Sequence, residues 1–214
     1  MKKRFLLWSV LICVLVVAAT VLVYRQLPEL IPSHWNAAGE IDRHGPRGWI
    51  FTQPVVLVVL TLLWLVLPAV SPEKFRVAEF SDTYWYCGLV TAGLLAYIQA
   101  VILWGVTGGT LDLGRALPGG IGLAFILLGN VLGKVRRNFW LGVRTPWTLA
   151  SDRVWYATHR VAGKTMVVGG LVTMLAAMMG LPAYVTTGAL MAGALVPVVF
   201  SLVYYKRLER TGGA

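Results

Sequence analysis

Charge is scarce in this chain. Only 13% of its 214 residues are Asp, Glu, Lys or Arg while 57% are hydrophobic, and a mean hydropathy of +0.72 lies outside the balance of a soluble globular domain. Cysteine is scarcer still. The two present, Cys13 and Cys87, both sit in apolar runs, where a free thiol behaves as a small hydrophobe, and they form no CxxC pair. A disulfide framework and a cysteine-based zinc site are thereby excluded. Histidine is limited to His34, His44 and His159, all in polar segments, so none stands at bilayer depth to ligate a haem. None of the nine acidic residues lies centrally in an apolar run, which argues against the buried carboxylates that ion-coupled transporters keep as relays.

What the chain has instead is a series of apolar runs, most near the roughly 20 residues that cross a hydrocarbon core. They predict an all-α polytopic membrane protein with about six transmembrane helices, at residues 5–24, 53–70, 84–106, 120–135, 166–181 and 184–205, forming one membrane domain over 1–214. The first run follows a basic start and is too long for a cleaved signal peptide, and no small-x-small site precedes Arg25, so it reads as an uncleaved anchor. Residues 108–119 read as a tight turn. Pro182 and Ala183 make the last two spans a helical hairpin. Gln99 and Asn130 are the most polar intramembrane side chains and read as interhelical hydrogen-bonding groups, while Gly129-x-x-x-Gly133 offers a surface for close helix approach.

The net charge of +10 does not mark a nucleic-acid binder, because the 19 Lys and Arg residues are scattered among segment ends and form no single basic face. Their distribution reports orientation instead. Fifteen fall at the two termini and in the segments after the second and fourth spans, and only Arg25, Arg43, Arg47 and Arg115 fall on the other side. Basic residues collect in the cytoplasm, so the layout is N-in and C-in, with an external loop at 25–52 and a cytoplasmic loop at 136–165 in a bacterial-type inner membrane.

The external loop is dense in Pro and Gly and cannot form a long helix. Asn36 and Gly39 suit turns, and Asp42 can bond to nearby backbone. His34, Glu40, Asp42 and His44 are residue types that ligate divalent ions, but their spacing fits no established metal motif. The plainer reading has His34 and Asp42 holding the loop by hydrogen bonds, and no cofactor is expected. Contact with an external peptide or a lipid head group is a further use for this loop.

In the cytoplasmic loop, Trp and basic residues alternate, a composition that anionic head groups attract. Ser151 with Asp152 starts a helix in which Val154, Trp155, Thr158 and Val161 recur at helical spacing, and Gly163 reads as its stop. A short interfacial helix is the expectation, with Trp155 and His159 on one face. Ser151, Asp152 and His159 are types found in nucleophilic catalysis, but no nucleophile elbow surrounds the serine. The chain also lacks an HExxH helix and paired intramembrane aspartates, so the reading is non-enzymatic.

These two loops resemble the SdpI family of bacterial membrane proteins. The outer string from Leu27-Pro28 through His34, Asn36, Gly39 and Asp42 looks like the domain of unknown function that often opens such proteins. The second part is more specific: Asn130, Lys134, Asn138, Trp140, Gly142, Arg144, Thr145-Pro146-Trp147-Thr148, Trp155, His159 and Gly163. The resemblance implies a membrane protein that protects against a secreted membrane-active peptide toxin and, in the family's known case, also sequesters a cytoplasmic transcriptional repressor. Arg144, Trp147, Trp155 and His159 would then be the leading docking candidates. A small-molecule or lipid transporter is the alternative, motivated by the glycine-rich fourth span and by Gln99 and Asn130.

Overall fold

The computed structural model describes residues 1–36 and 40–212. In chain order it contains helix α1 (Lys2–Tyr24), strands β1 (Leu30–Trp35) and β2 (Ile41–Pro46), and helices α2 (Thr52–Val66), α3 (Ser81–Val106) and α4 (Leu113–Leu132). The one-turn helix α5 (Pro146–Ala150) and the long helices α6 (Asp152–Met178) and α7 (Ala183–Arg210) follow. Six of the helices, all but α5, are long and apolar enough to cross a membrane, α2 together with the 3-10 turn Arg47–Phe51 that leads into it.

Their side chains are distributed as lipid requires. Large apolar residues such as Leu7, Leu22, Leu62 and Val199 point outward, while Ser9, Thr20, Thr61, Thr173, Thr186 and Ser201 are buried between helices. Lipid tails are as apolar as leucine, so bundle association comes from close packing and hydrogen bonding. Several of these hydroxyls satisfy themselves on the preceding turn: Thr20 donates to the Val16 carbonyl at 2.7 Å and Thr173 to that of Gly169 at 2.8 Å.

Glycines set the tightest contact, between α4 and α6. A Cβ on Gly129 would lie 2.9 Å from the Gly163 carbonyl oxygen, and one on Gly122 would lie 2.8 Å from that of Gly170. The two glycines on each helix are seven residues apart, so they fall on one face and bring the backbones together. Gly133 is not part of this contact, since a Cβ there meets nothing within 4 Å. The glycine pair on α4 is therefore Gly122 and Gly129, not the Gly129-x-x-x-Gly133 of the sequence pattern.

Two boundaries differ from expectation for the same reason, that glycine and proline within a membrane helix need not end it. Helix α6 runs unbroken through Gly163, whose small size serves packing against Gly129, so the expected interfacial helix and the fifth span are one helix of 27 residues. Its start at Ser151 and Asp152 is as read. Helix α4 begins at Leu113, well inside the segment read as a turn, with the Asp112 side chain accepting from the Arg115 N–H at 3.2 Å. Pro118 lies within that helix, a position that membrane helices tolerate.

The polar segment between α1 and α2 folds as an antiparallel hairpin in which Leu30 pairs with Pro46, Pro32 with His44 and Trp35 with Ile41. Ile31 of the hairpin, with Leu27 and Ile50, forms a buried cluster over the ends of α1 and α3. At the opposite end of the bundle, the terminal amine of Met1 lies 3.3 Å from Asp82 at the start of α3. The segments at 67–80 and 133–151 and the last turns of α7 gather there too, so the start of α1 and the end of α7 share one end.

Candidate functional site

The segment between α4 and α6 is locked from within. Asn138 is fully buried and uses its whole amide: Oδ1 accepts from the backbone N–H groups of Trp140 at 2.7 Å and Leu141 at 2.8 Å. Its Nδ2 donates to the carbonyls of Arg136 at 2.7 Å and Leu141 at 3.0 Å. One side chain thus replaces the hydrogen bonds that a regular element would supply. Four residues on, Gly142 takes φ +109°, a conformation that side chains rarely adopt, and a Cβ there would collide with the His159 ring.

His159 fixes the next residue. The Val143 N–H donates to His159 Nε2 at 3.1 Å, and the remaining ring nitrogen, Nδ1, lies 2.8 Å from the Trp155 carbonyl oxygen. A nitrogen that accepts cannot carry a proton, so the ring is neutral with its hydrogen on Nδ1. The Trp155 ring stacks on it with centroids 4.0 Å apart and donates its own Nε1–H to the Val135 carbonyl at 2.8 Å. Both residues are 0% exposed.

The string Thr145-Pro146-Trp147-Thr148 builds helix α5. Thr145 and Thr148 form a reciprocal capping box, and Pro146 occupies the first turn, where its missing N–H costs nothing. Thr148 also donates to the Val143 carbonyl at 2.9 Å, joining the turn to the His159 contact. Two further indoles tie the segment sideways: Trp147 Nε1 donates to Ser201 of α7 at 2.6 Å, and Trp140 Nε1 to Ser71 at 2.5 Å. Arg137 pairs with Asp152 at 3.0 Å and donates to the Leu149 carbonyl at 2.9 Å, and Arg144 donates to the Phe139 carbonyl.

Ten of the residues singled out in the sequence therefore meet in one place: Asn138, Trp140, Gly142, Arg144, Thr145, Pro146, Trp147, Thr148, Trp155 and His159. Asn130 does not join them and, contrary to its reading as a helix-joining group, is exposed on α4. Lys134 is exposed at the edge of the segment. Burial removes Trp155 and His159 from any surface that a partner could touch, and Trp147 is half-buried, so of the docking candidates Arg144 alone is exposed. The Ser151, Asp152 and His159 set forms no relay, because Asp152 is held by Arg137 and His159 by Val143 and Trp155. The partners that sequence reasoning missed are Ser71, Ser201 and the Val135 carbonyl; a lone serine in or beside an apolar run carries no sign of what it bonds.

The outer residues lie at the other end of the molecule. His34 Nδ1 is 2.6 Å from Asp42 Oδ1 across the hairpin. Asn36 bonds to Glu40, its Nδ2 donating to Glu40 Oε2 at 2.9 Å while its Oδ1 accepts from the Glu40 N–H at 3.0 Å. His44 is exposed on β2 opposite Pro32, and Gly39 lies outside the described residues. Among the described residues no three His, Cys, Asp or Glu side chains come together as a metal site.

Six membrane-length helices packed on small and hydroxyl-bearing residues, with a loop locked beneath one end, define a multi-pass cell-membrane protein. Residues 134–205, which begin at this loop, match the model of the SdpI/YfhL protein family, and residues 11–58 match a domain of unknown function, DUF1648. The chain is 29% identical over 173 residues to Immunity protein SdpI of Bacillus subtilis (strain 168), an alignment covering 80% of each. In these two stretches the chain is similar to the SdpI family. No solved structure matches it.

Proposed function

We propose that this chain is a non-enzymatic immunity protein of the bacterial cell membrane, protecting its host against a membrane-active peptide that arrives from outside. The observation that carries the reading is the likeness to an immunity protein across 80% of both chains, beside family matches that take in the hairpin and the locked loop. In this reading the termini and the loop face the cytoplasm, in keeping with the fifteen basic residues at that end. The hairpin end then faces outward and presents Leu30, Ile41 and Trp49, exposed apolar groups suited to meet an amphipathic peptide at the head-group level.

A second, cytoplasmic role in holding a transcriptional repressor would fall to the exposed basic residues Arg136, Arg144, Arg153 and Arg160 rather than to the buried Trp155 and His159. These two would act by fixing the shape on which the arginines stand. The test is expression in a sensitive bacterium challenged with a membrane-active peptide encoded beside the gene. Tolerance should rise, and Arg144→Ala should reduce signalling while leaving the protein in the membrane. Unchanged sensitivity with the protein present at full level would overturn the immunity reading.

A further inference from the structure

Beneath the hairpin lies a cavity of about 260 Å³, which shares only Trp49 with the surface named in the immunity reading. Its walls are Ile31, Ile50 and Ile102, with Trp49, Ser33 and Gln53 also lining it, and none of its lining residues is charged. Gln99, on α3, lines it as well and is only 1% exposed.

The hydrogen bonds of Gln99 leave one atom over. Its Nε2 donates to the Ile50 carbonyl at 3.1 Å and to Thr20 Oγ1 at 3.0 Å. A carbonyl only accepts, so the Ile50 contact fixes which end of the amide is nitrogen, and the Thr20 hydroxyl hydrogen is already committed to Val16. Gln99 Oε1 is therefore a buried acceptor, and it has no protein partner among the described residues. Such an atom is costly to bury unpaired, and the cavity that Gln99 lines greatly exceeds the ~30 Å³ that one water occupies.

We propose that this cavity binds a small, mostly apolar molecule or side-chain tip bearing a neutral hydrogen-bond donor of the phenol or indole type, whose O–H or N–H donates to Gln99 Oε1. A cation is disfavoured because no carboxylate lines the site to offset its desolvation. An aromatic body suits the three isoleucines and the Trp49 ring, against which it can stack. The site stands apart from the immunity reading, since purified protein reports on it without any toxin.

The test is a fluorine NMR titration of 4-fluorophenol and of its methyl ether, 4-fluoroanisole, against the full chain in nanodiscs, with empty nanodiscs subtracted. The two probes share shape, but only the phenol can donate. Native protein should bind the phenol saturably and about three- to tenfold more tightly than the ether. Gln99→Leu should remove that preference. Because Gln99 also joins α1 to α3, Ser33→Trp supplies a second variant: it fills the cavity, leaves the Gln99 contacts in place and forfeits only a 3.3 Å bond to the Arg43 carbonyl. It should reduce binding to the level of empty nanodiscs. Competition by N-acetyl-tyrosinamide would assign the ligand to a peptide side chain, and its failure to compete would assign it to a free molecule. Equal affinities for the two probes, no saturable binding to native protein, or undiminished binding to Ser33→Trp would each overturn the proposal.

Discussion

Replacing Gly142 by alanine puts a methyl group where the His159 ring now lies. Two costs follow. Holding a residue with a side chain at φ +109° costs about 1–3 kcal/mol. If the ring moves away, the Val143 N–H loses its acceptor, and a buried donor left unpaired costs about 1–3 kcal/mol more. The sum, roughly 2–6 kcal/mol, is a large part of the stability of an ordinary domain. Reversible unfolding in mixed micelles, followed by tryptophan fluorescence, measures it. The double variant gives the sharper reading. His159→Ala empties the space that the new methyl needs, so Gly142→Ala should cost about 1 kcal/mol less in that background than in the native chain. A loss below ~0.5 kcal/mol for Gly142→Ala, or strict additivity with His159→Ala, would refute the reasoning.

Other perturbations probe the same frame. Asn138→Ala strips acceptors from two backbone N–H groups at once and should destabilise by about 2–4 kcal/mol in the same assay. Gly163→Leu should separate α4 from α6 and abolish accumulation of folded protein, whereas Gly133→Leu, with open space around it, should be tolerated; protease resistance in membranes distinguishes the two. In a Cys13→Ala, Cys87→Ala background, a cysteine at Ser33 should react with an impermeant maleimide on intact cells, and one at Arg153 only after permeabilisation. The reverse pattern would overturn the proposed orientation.

Six membrane-length helices were legible because hydropathy over some 20 residues is a strong signal and nothing else satisfies the backbone in lipid. Helix ends were not, where glycine and proline are ambiguous: Gly163 has the composition of a stop but sits in mid-helix as a packing surface. The hairpin was missed because Pro32 and the neighbouring prolines and glycines mask its alternation, and its pairing depends on contacts between residues six to sixteen apart. In the candidate site, the residue types were all visible and their roles were not. Trp155 and His159 look the same in sequence whether they face a partner or the interior, and only burial separates the two.

Two indoles of the locked loop and a third in the first turn of α6 have a mechanical consequence. Trp140 is riveted to Ser71 beyond α2, Trp147 to Ser201 of α7 and Trp155 to the chain leaving α4, so the loop and the start of α6 together clamp elements from both halves of the bundle. Among the described residues, the buried cluster of the hairpin at the far end involves α1, α3 and the turn before α2, with no member from α4, α6 or α7. Any relative tilt of α1–α3 against α4–α7 is then levered about the clamped end as a fulcrum, and its amplitude is greatest where the hairpin sits. A push on the outer rim would arrive at the loop as torque on three tryptophans.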